Sequence, residues 1–294
     1  MSGSNIQTLE RDQRDSKVRR IIVVEGLANL LVLVAKAIVG FSTGSLAVLG
    51  DAIHSLTDVM NNVVAWIVMR LSSAPADREH PYGHRKFETL AVFGLAAILV
   101  ALAFELALQA IRREPTEIVS GSWEIALMLA VLGVNIGLAS WERFWARRLD
   151  SQILLADASH TFADVLTTVV VIGGWQLSAM GYLWLDRICA MGVAGLVFYL
   201  AFNLFRTAIP VLVDESAIDP DILVDAARDI EGVKDVVRVR SRWMGSEPAV
   251  DMIVTVDPHL TTLAAHAIAD SVEEVLERRF DIQDVSIHIE PHID

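Results

Sequence analysis

The chain has one cysteine, Cys189. That excludes a disulfide framework and a cysteine metal cluster alike. It has no HExxH pattern, so the water-activating base of a helical metalloprotease is missing and a membrane metalloenzyme is disfavoured. The stretch from Asp214 onward lacks Lys/Arg clusters: it holds 19 acidic and 7 basic residues. Phosphate contact needs clustered cations, so nucleic acid is excluded as a partner. Residues 1–17 (MSGSNIQTLERDQRDSK) lack the apolar core of a signal peptide. They are expected to form a short disordered tail, with the first apolar run retained as a helix.

What is present is a strongly uneven distribution of apolar residues. The 294 residues are 53% hydrophobic with a net charge of −13. Almost all of that charge lies beyond Asp214, so the remainder is close to neutral. Residues 18–209 consist mostly of long apolar runs, and residues 210–294 read as a separate soluble domain. Six spans are expected near 18–40, 46–71, 87–111, 122–145, 152–180 and 183–208. Each covers roughly 30 Å of hydrocarbon at about 1.5 Å per residue. The expectation is a multi-pass integral membrane protein, an all-α six-helix bundle in contact with lipid.

Orientation follows from cation placement. Arg11, Arg14, Lys17, Arg19 and Arg20 precede the first span. Arg70, Arg78, Arg85 and Lys86 lie between the second and third, and Arg143, Arg147 and Arg148 between the fourth and fifth. Arg112 and Arg113 oppose this pattern but are diluted by Glu114 and Glu117. Both termini are therefore expected in the cytoplasm, with a bacterial inner (cell) membrane as the expected location.

The soluble part alternates element type. Asp219-Pro220 opens a helix over 219–229. Strands are expected at 233–243 and 249–256, a helix at 261–280 and a last strand at 285–290. This αββαβ order predicts an α+β fold with helices on one face of a small sheet.

The chemistry concentrates in a repeated pattern. Asp51-Ala-Ile-His54-Ser-Leu-Thr-Asp58 falls in the second span and Asp157-Ala-Ser-His160-Thr-Phe-Ala-Asp164 in the fifth. Both read D-A-x-H-S/T-x-x-D. An ionisable residue inside a span costs about 2.5–3.5 kcal/mol on insertion scales, so six of them demand a partner. His54 and Asp58 share a helix face one turn apart, as do His160 and Asp164. If the two helices pack, two imidazoles and two carboxylates converge in an N2O2 set suited to tetrahedral Zn²⁺. The absence of thiolate disfavours Cu(I), and the imidazoles disfavour Mg²⁺ and Ca²⁺. The bland reading of one such pair is a hydrogen-bonded contact between helices; two matching pairs weaken it. Asp51 and Asp157 either orient the imidazoles or line the cation path. Asn61 and Asn62 are expected to bond neighbouring helices.

With these residues in view the chain resembles the cation diffusion facilitator family of zinc and other divalent metal–proton antiporters, over nearly its whole length. The resemblance implies that His54, Asp58, His160 and Asp164 form the transport site. It implies a homodimer, exchange of a divalent metal for protons, and a metallochaperone-like (ferredoxin-like) C-terminal domain. Zinc is then substrate and regulatory ligand rather than cofactor, with Fe²⁺, Mn²⁺ and Cd²⁺ as other metals such a site can take. The Fe²⁺ alternative draws on the stretch Asp251-Met-Ile-Val-Thr-Val-Asp-Pro258, which is similar to the magnetosome branch. A second alternative is a non-transporting metal sensor or scaffold subunit. In the loop after the second span, Asp77, His80 and His84 match the family's loop metal site; the bland reading is a solvated polar loop. Lys86 and Asp214 match an ion pair that joins domains or protomers. The C-terminal pattern departs from the family: Lys234 and Ile253 stand where histidines are usual. A reduced C-terminal metal site of His266, His288, Glu290 and Asp251 is what remains.

Overall fold

The computed structural model describes residues 3–43, 46–112, 122–179, 183–245, 247–282 and 284–293, apart from some side chains within the helices. The chain divides into two compact units, Met1–Arg206 and Thr207–Asp294, each taken by itself below.

The first unit is built from α1 (Gly3–Thr43), α2 (Leu46–Ser72), α3 (Lys86–Arg112), α4 (Ser122–Arg148), α5 (Gln152–Ala179) and α6 (Leu183–Leu212), whose last turns enter the second unit. At 27 residues apiece, α2, α3 and α4 reach about 40 Å, enough to cross the hydrocarbon. Among the described residues, Gln13–Ile38, Lys86–Arg112, Gln152–Val170 and Arg187–Leu212 are each long and apolar enough to cross a membrane. Leu31, Phe41 and Phe104 point outward, whereas Glu25, Lys36, Asn62, Glu142, Asp157 and His160 are buried. That inversion is what a bundle in lipid requires, because charge facing hydrocarbon is costly. Helix α1 lies along α2, α4 along α5, and α3 against α5 and α2. Gly26 lets α1 come close to α2: a Cβ there would sit 3.4 Å from Asn62 Cβ.

The polar start of the chain departs from the expected disordered tail. Residues 3–17 are the first turns of α1. No glycine or proline interrupts 4–25, and Arg14 and Asp15 find partners. Arg14 donates from Nε to the Leu149 carbonyl (2.7 Å) and from Nη2 to the Asp150 carbonyl (2.6 Å). Asp15, almost fully buried, accepts from Arg85 Nη1 (2.9 Å) and Ser73 Oγ (3.0 Å). These bonds tie the start of the chain, the α2–α3 connection and the α4–α5 connection to one end of the bundle.

The second unit contains α7 (Pro220–Arg228), β1 (Asp235–Met244), β2 (Glu247–Val256), α8 (Thr262–Phe280) and β3 (Asp284–Pro291). The Asp219 carboxylate accepts from the Asp221 amide at the N-cap of α7, with Pro220 in the first helical turn. Thr261 Oγ1 accepts from the Ala264 amide to cap α8. The sheet order is β1-β2-β3, with β1 antiparallel and β3 parallel to β2. The parallel step is made through α8, as a crossover must be. Val250, Met252 and Val254 bury one face of β2 against Leu223, Ala226 and Ala227 of α7 and Val272 and Leu276 of α8. The αββαβ order expected from the sequence is the order found.

Gly232 joins α7 to β1 with φ +99°, and a Cβ there would lie 2.5 Å from Ile268 Cδ1. A left-handed backbone and a blocked Cβ position together require glycine. Gly232→Ala should therefore lower the stability of this unit by about 1–3 kcal/mol. The unfolding midpoint in denaturant, with unchanged slope, is the measurement that checks it.

Candidate metal centre

The α2–α5 seam brings the two sequence patterns together. Asp58 comes from the middle of α2, and His160 and Asp164 from successive turns of α5. His160 Nε2 lies 3.7 Å from Asp58 Oδ1 and 3.7 Å from Asp164 Oδ2. One ligand atom from each of the three lies within 4.8 Å of the others. Ligands bound at 2.0–2.2 Å around a tetrahedral ion sit about 3.3–3.6 Å apart, close to the spacing seen. Asp58 Oδ1 is buried and has no hydrogen-bond partner among the described residues. Asn61 Nδ2 stands 3.5 Å from His160 Nε2. Asp51 and His54 both fall on α2, but their side chains lie outside the described residues.

Asp157 has company that the sequence pattern did not foresee. Its Oδ2 accepts from Asn62 Nδ2 at 3.3 Å, and Asn62 Oδ1 in turn accepts from Asn29 at 2.8 Å. It forms a fully buried group with Glu25 of α1 and Glu142 of α4. His160 Nδ1 has no hydrogen-bond partner among the described residues, so Asp157 does not orient that ring through it. Lys36 is likewise buried, and its Nζ donates to Ser55 Oγ at 2.8 Å. Glu25 and Lys36 were missed because each is a lone charge in an apolar run with no repeated spacing, and Glu142 because it stands beside Arg143 at a cationic helix end. Their position inside a span was the available signal.

The loop residues also converge. Asp77 Oδ1 accepts from the backbone amides of Glu79 (2.9 Å) and His80 (2.6 Å). Its carboxylate lies 3.3 Å from His80 Nδ1 and 3.3 Å from His84 Nε2. The His80 amide, chiefly, holds the Asp77 carboxyl below the usual carboxylate range. His84 Nδ1 is 3.1 Å from the Pro75 carbonyl. A carbonyl only accepts, so Nδ1 donates there, and Nε2 is the nitrogen that faces Asp77. The His80 and His84 rings lie 4.4 Å apart, and Gly83, with φ +82°, makes the turn between them. All three ligand atoms lie within 4.8 Å of one another. Lys86 opens α3, and Asp214 follows α6 with φ +55°.

The expected C-terminal cluster does not form within one chain. The parallel register sets Asp251 beside Ser286 and Ile253 beside His288. Asp251, His288 and Glu290 thus share the face of the sheet opposite the buried Met252 and Val254. His266 is exposed on α8, which covers the other face, and its neighbour is Asp270 at 3.6 Å. His288 Nε2 stands 3.6 Å from Glu290 Oε1. The correction has a simple cause: the crossover helix and the outward strand residues belong to different layers.

Comparison with known proteins adds the family. The cation efflux transmembrane domain matches residues 22–213, and the cytoplasmic domain of cation efflux proteins matches 216–292. An uncharacterized transporter, MJ0449, of Methanocaldococcus jannaschii is 27% identical, over 93% of this chain and 98% of its own. The cation-efflux pump FieF of Shigella boydii is 29% identical, over 93% of this chain and 92% of its own. Among solved structures, a cadmium form of the MamM C-terminal domain is 30% identical with a TM-score of 0.24, covering 25% of this chain and 91% of that one. The chain belongs to the cation diffusion facilitator family and is a multi-pass membrane transporter for the efflux of divalent metal cations.

Proposed function

We propose that this transporter exports Zn²⁺ in exchange for protons, with His54, Asp58, His160 and Asp164 as the four ligands. The observation that carries the reading is the meeting of Asp58, His160 and Asp164 across α2 and α5. His54 lies one turn from Asp58 on α2 and supplies the second imidazole. Two imidazoles and two carboxylates suit a borderline ion in tetrahedral geometry. Fe²⁺ is the runner-up, because imidazole also suits iron.

Metal binding requires neutral imidazole and ionised carboxylate, so loading releases protons. The same groups then hold either a metal ion or protons. Loaded with metal on one side and protons on the other, the site lets a proton gradient drive the cation outward. N- and C-termini in the cytoplasm and a homodimeric assembly complete the proposal. The match of residues 216–292 to a cytoplasmic domain supports the first of these. A non-transporting sensor has less support, since it has no need of charged ligands inside the bundle.

Asp77, His80 and His84 are proposed as a second, exchangeable metal site. Three ligands leave an open coordination position. The Asp77 carboxyl has a lowered pKa, so its contribution to the folded loop is complete above the ordinary aspartate value. That contribution fades as pH falls through the lowered one.

In proteoliposomes with an acidic lumen, where protons leaving exchange for metal entering, Asp164→Ala should cut Zn²⁺ uptake at least about 100-fold, while uptake equal to wild type would refute the assigned site. His54→Asp should weaken Zn²⁺ transport relative to Cd²⁺ when the two fluxes are compared in the same vesicles; an unchanged ratio counts against ligand-set selectivity. Asp77→Asn should lower Zn²⁺ affinity at the loop about 10–100-fold in equilibrium dialysis while leaving the site between α2 and α5 loaded. The same variant should flatten the fall in melting temperature between about pH 5 and pH 3.

A further inference from the structure

Glu25, Glu142 and Asp157 come from three helices, α1, α4 and α5, and offer oxygens within 4.8 Å of one another. Glu25 is 1% and Glu142 0% exposed. Both oxygens of each are buried without a hydrogen-bond partner among the described residues. Asp157 alone has a donor, Asn62. Three carboxylates brought together away from water, two with every lone pair unused, are strongly unfavourable unless something positive joins them. None of the four ligands assigned above belongs to this group.

We propose that these three carboxylates form a second cation site, which takes a hard divalent ion through oxygen alone. An ion with bonds of about 2.1–2.5 Å joins oxygens up to about 4.2–5.0 Å apart, so the observed spacing is within reach. A divalent ion neutralises two of the three charges, and a shared proton or Lys-free polar contact such as Asn62 accommodates the third. With no imidazole or thiolate, the donor set favours Mn²⁺ or Mg²⁺.

The location suggests a use. Asp157 lies one turn from His160 on α5, toward the end where Arg14 grips the Leu149 and Asp150 carbonyls. Asn62 serves Asp157 and its neighbour Asn61 stands beside His160, so both sites share the α2–α5 seam. A cation arriving from that end exchanges water for carboxylates here before it meets the imidazoles. This use rests on the transporter reading; the capacity to bind a cation does not.

The test uses the full chain in lipid nanodiscs, with Mn²⁺ as probe. Bound Mn²⁺ is counted by equilibrium dialysis and its ligand field read by electron paramagnetic resonance. Glu25→Gln/Glu142→Gln should lose one Mn²⁺ per chain relative to wild type, and Asp58→Asn/Asp164→Asn should retain it. Equal stoichiometry in wild type and the double glutamine variant overturns the proposal. The unmodified protein gives an independent check that needs no variant to fold. Carbodiimide modification of Glu25 and Glu142, followed by peptide mass spectrometry, should slow at least about tenfold when Mn²⁺ is present. No protection also overturns the proposal. Loss of Mn²⁺ in the glutamine variant alongside normal transport by Asp164→Ala would keep this site and reject the transport-site assignment; the reverse pattern would do the opposite.

Discussion

The cost of leaving a charge in hydrocarbon governs the membrane unit. Apolar side chains such as Leu31 and Phe104 face outward, and the acids, the lysine and the histidine face inward. Lipid tails are as apolar as leucine, so burying leucine between helices gains little. Close approach and polar contacts must hold the helices instead. Gly26 against Asn62, Asn62 with Asn29 and Asp157, and Lys36 with Ser55 supply them on α1, α2 and α5. The groups that hold the seam together are therefore the groups that meet the cation, or lie next to those that do. A substitution here that changes charge acts on packing and on binding together.

The seam also grades the donor chemistry. Near the end tied down by Arg14 the available ligands are carboxylate oxygens from Glu25, Glu142 and Asp157. One turn further along α5 they become imidazole and carboxylate, from His160, Asp164 and Asp58. Oxygen ligands exchange readily with water, and imidazole adds preference for borderline ions. On the proposed path, a divalent ion sheds water before selection rather than during it. Each step then replaces part of the hydration shell instead of the whole of it.

Sequence reading reached the repeated pattern and the second unit because both rest on short-range regularities. The four-residue spacing places His160 and Asp164 on one face whatever the tertiary context. The caps at Asp219 and Thr261 and the alternation in β2 likewise act locally. What escaped depends on several elements at once. Glu25, Glu142 and Asp157 are more than one hundred residues apart at the extremes, and nothing in their own neighbourhoods links them. His266 was grouped with His288 by residue type, yet α8 and the outward side of β3 belong to opposite layers of the sheet. Residues 3–17 were read as a tail because they are polar. Their helix is stabilised by the carbonyls of Leu149 and Asp150 and by Arg85, all distant in the chain.

The exposure of their carboxylates separates the two sites that contain histidine. Asp77 is exposed, and two backbone amides satisfy one of its oxygens. Water solvates that carboxylate well enough with or without an ion, so occupancy of the proposed loop site can follow the ambient metal concentration. His160 is buried and Asp58 Oδ1 has no partner among the described residues. If the metal leaves that site, two carboxylates remain in a medium that solvates them poorly. Protons are the smallest cations able to replace it, and they bind the same lone pairs. The proposed exchange of metal for protons then needs no separate coupling device. It follows from a site that holds bare charge poorly, which is why the transport proposal and the burial of His160 and of Asp58 Oδ1 stand on the same physical ground.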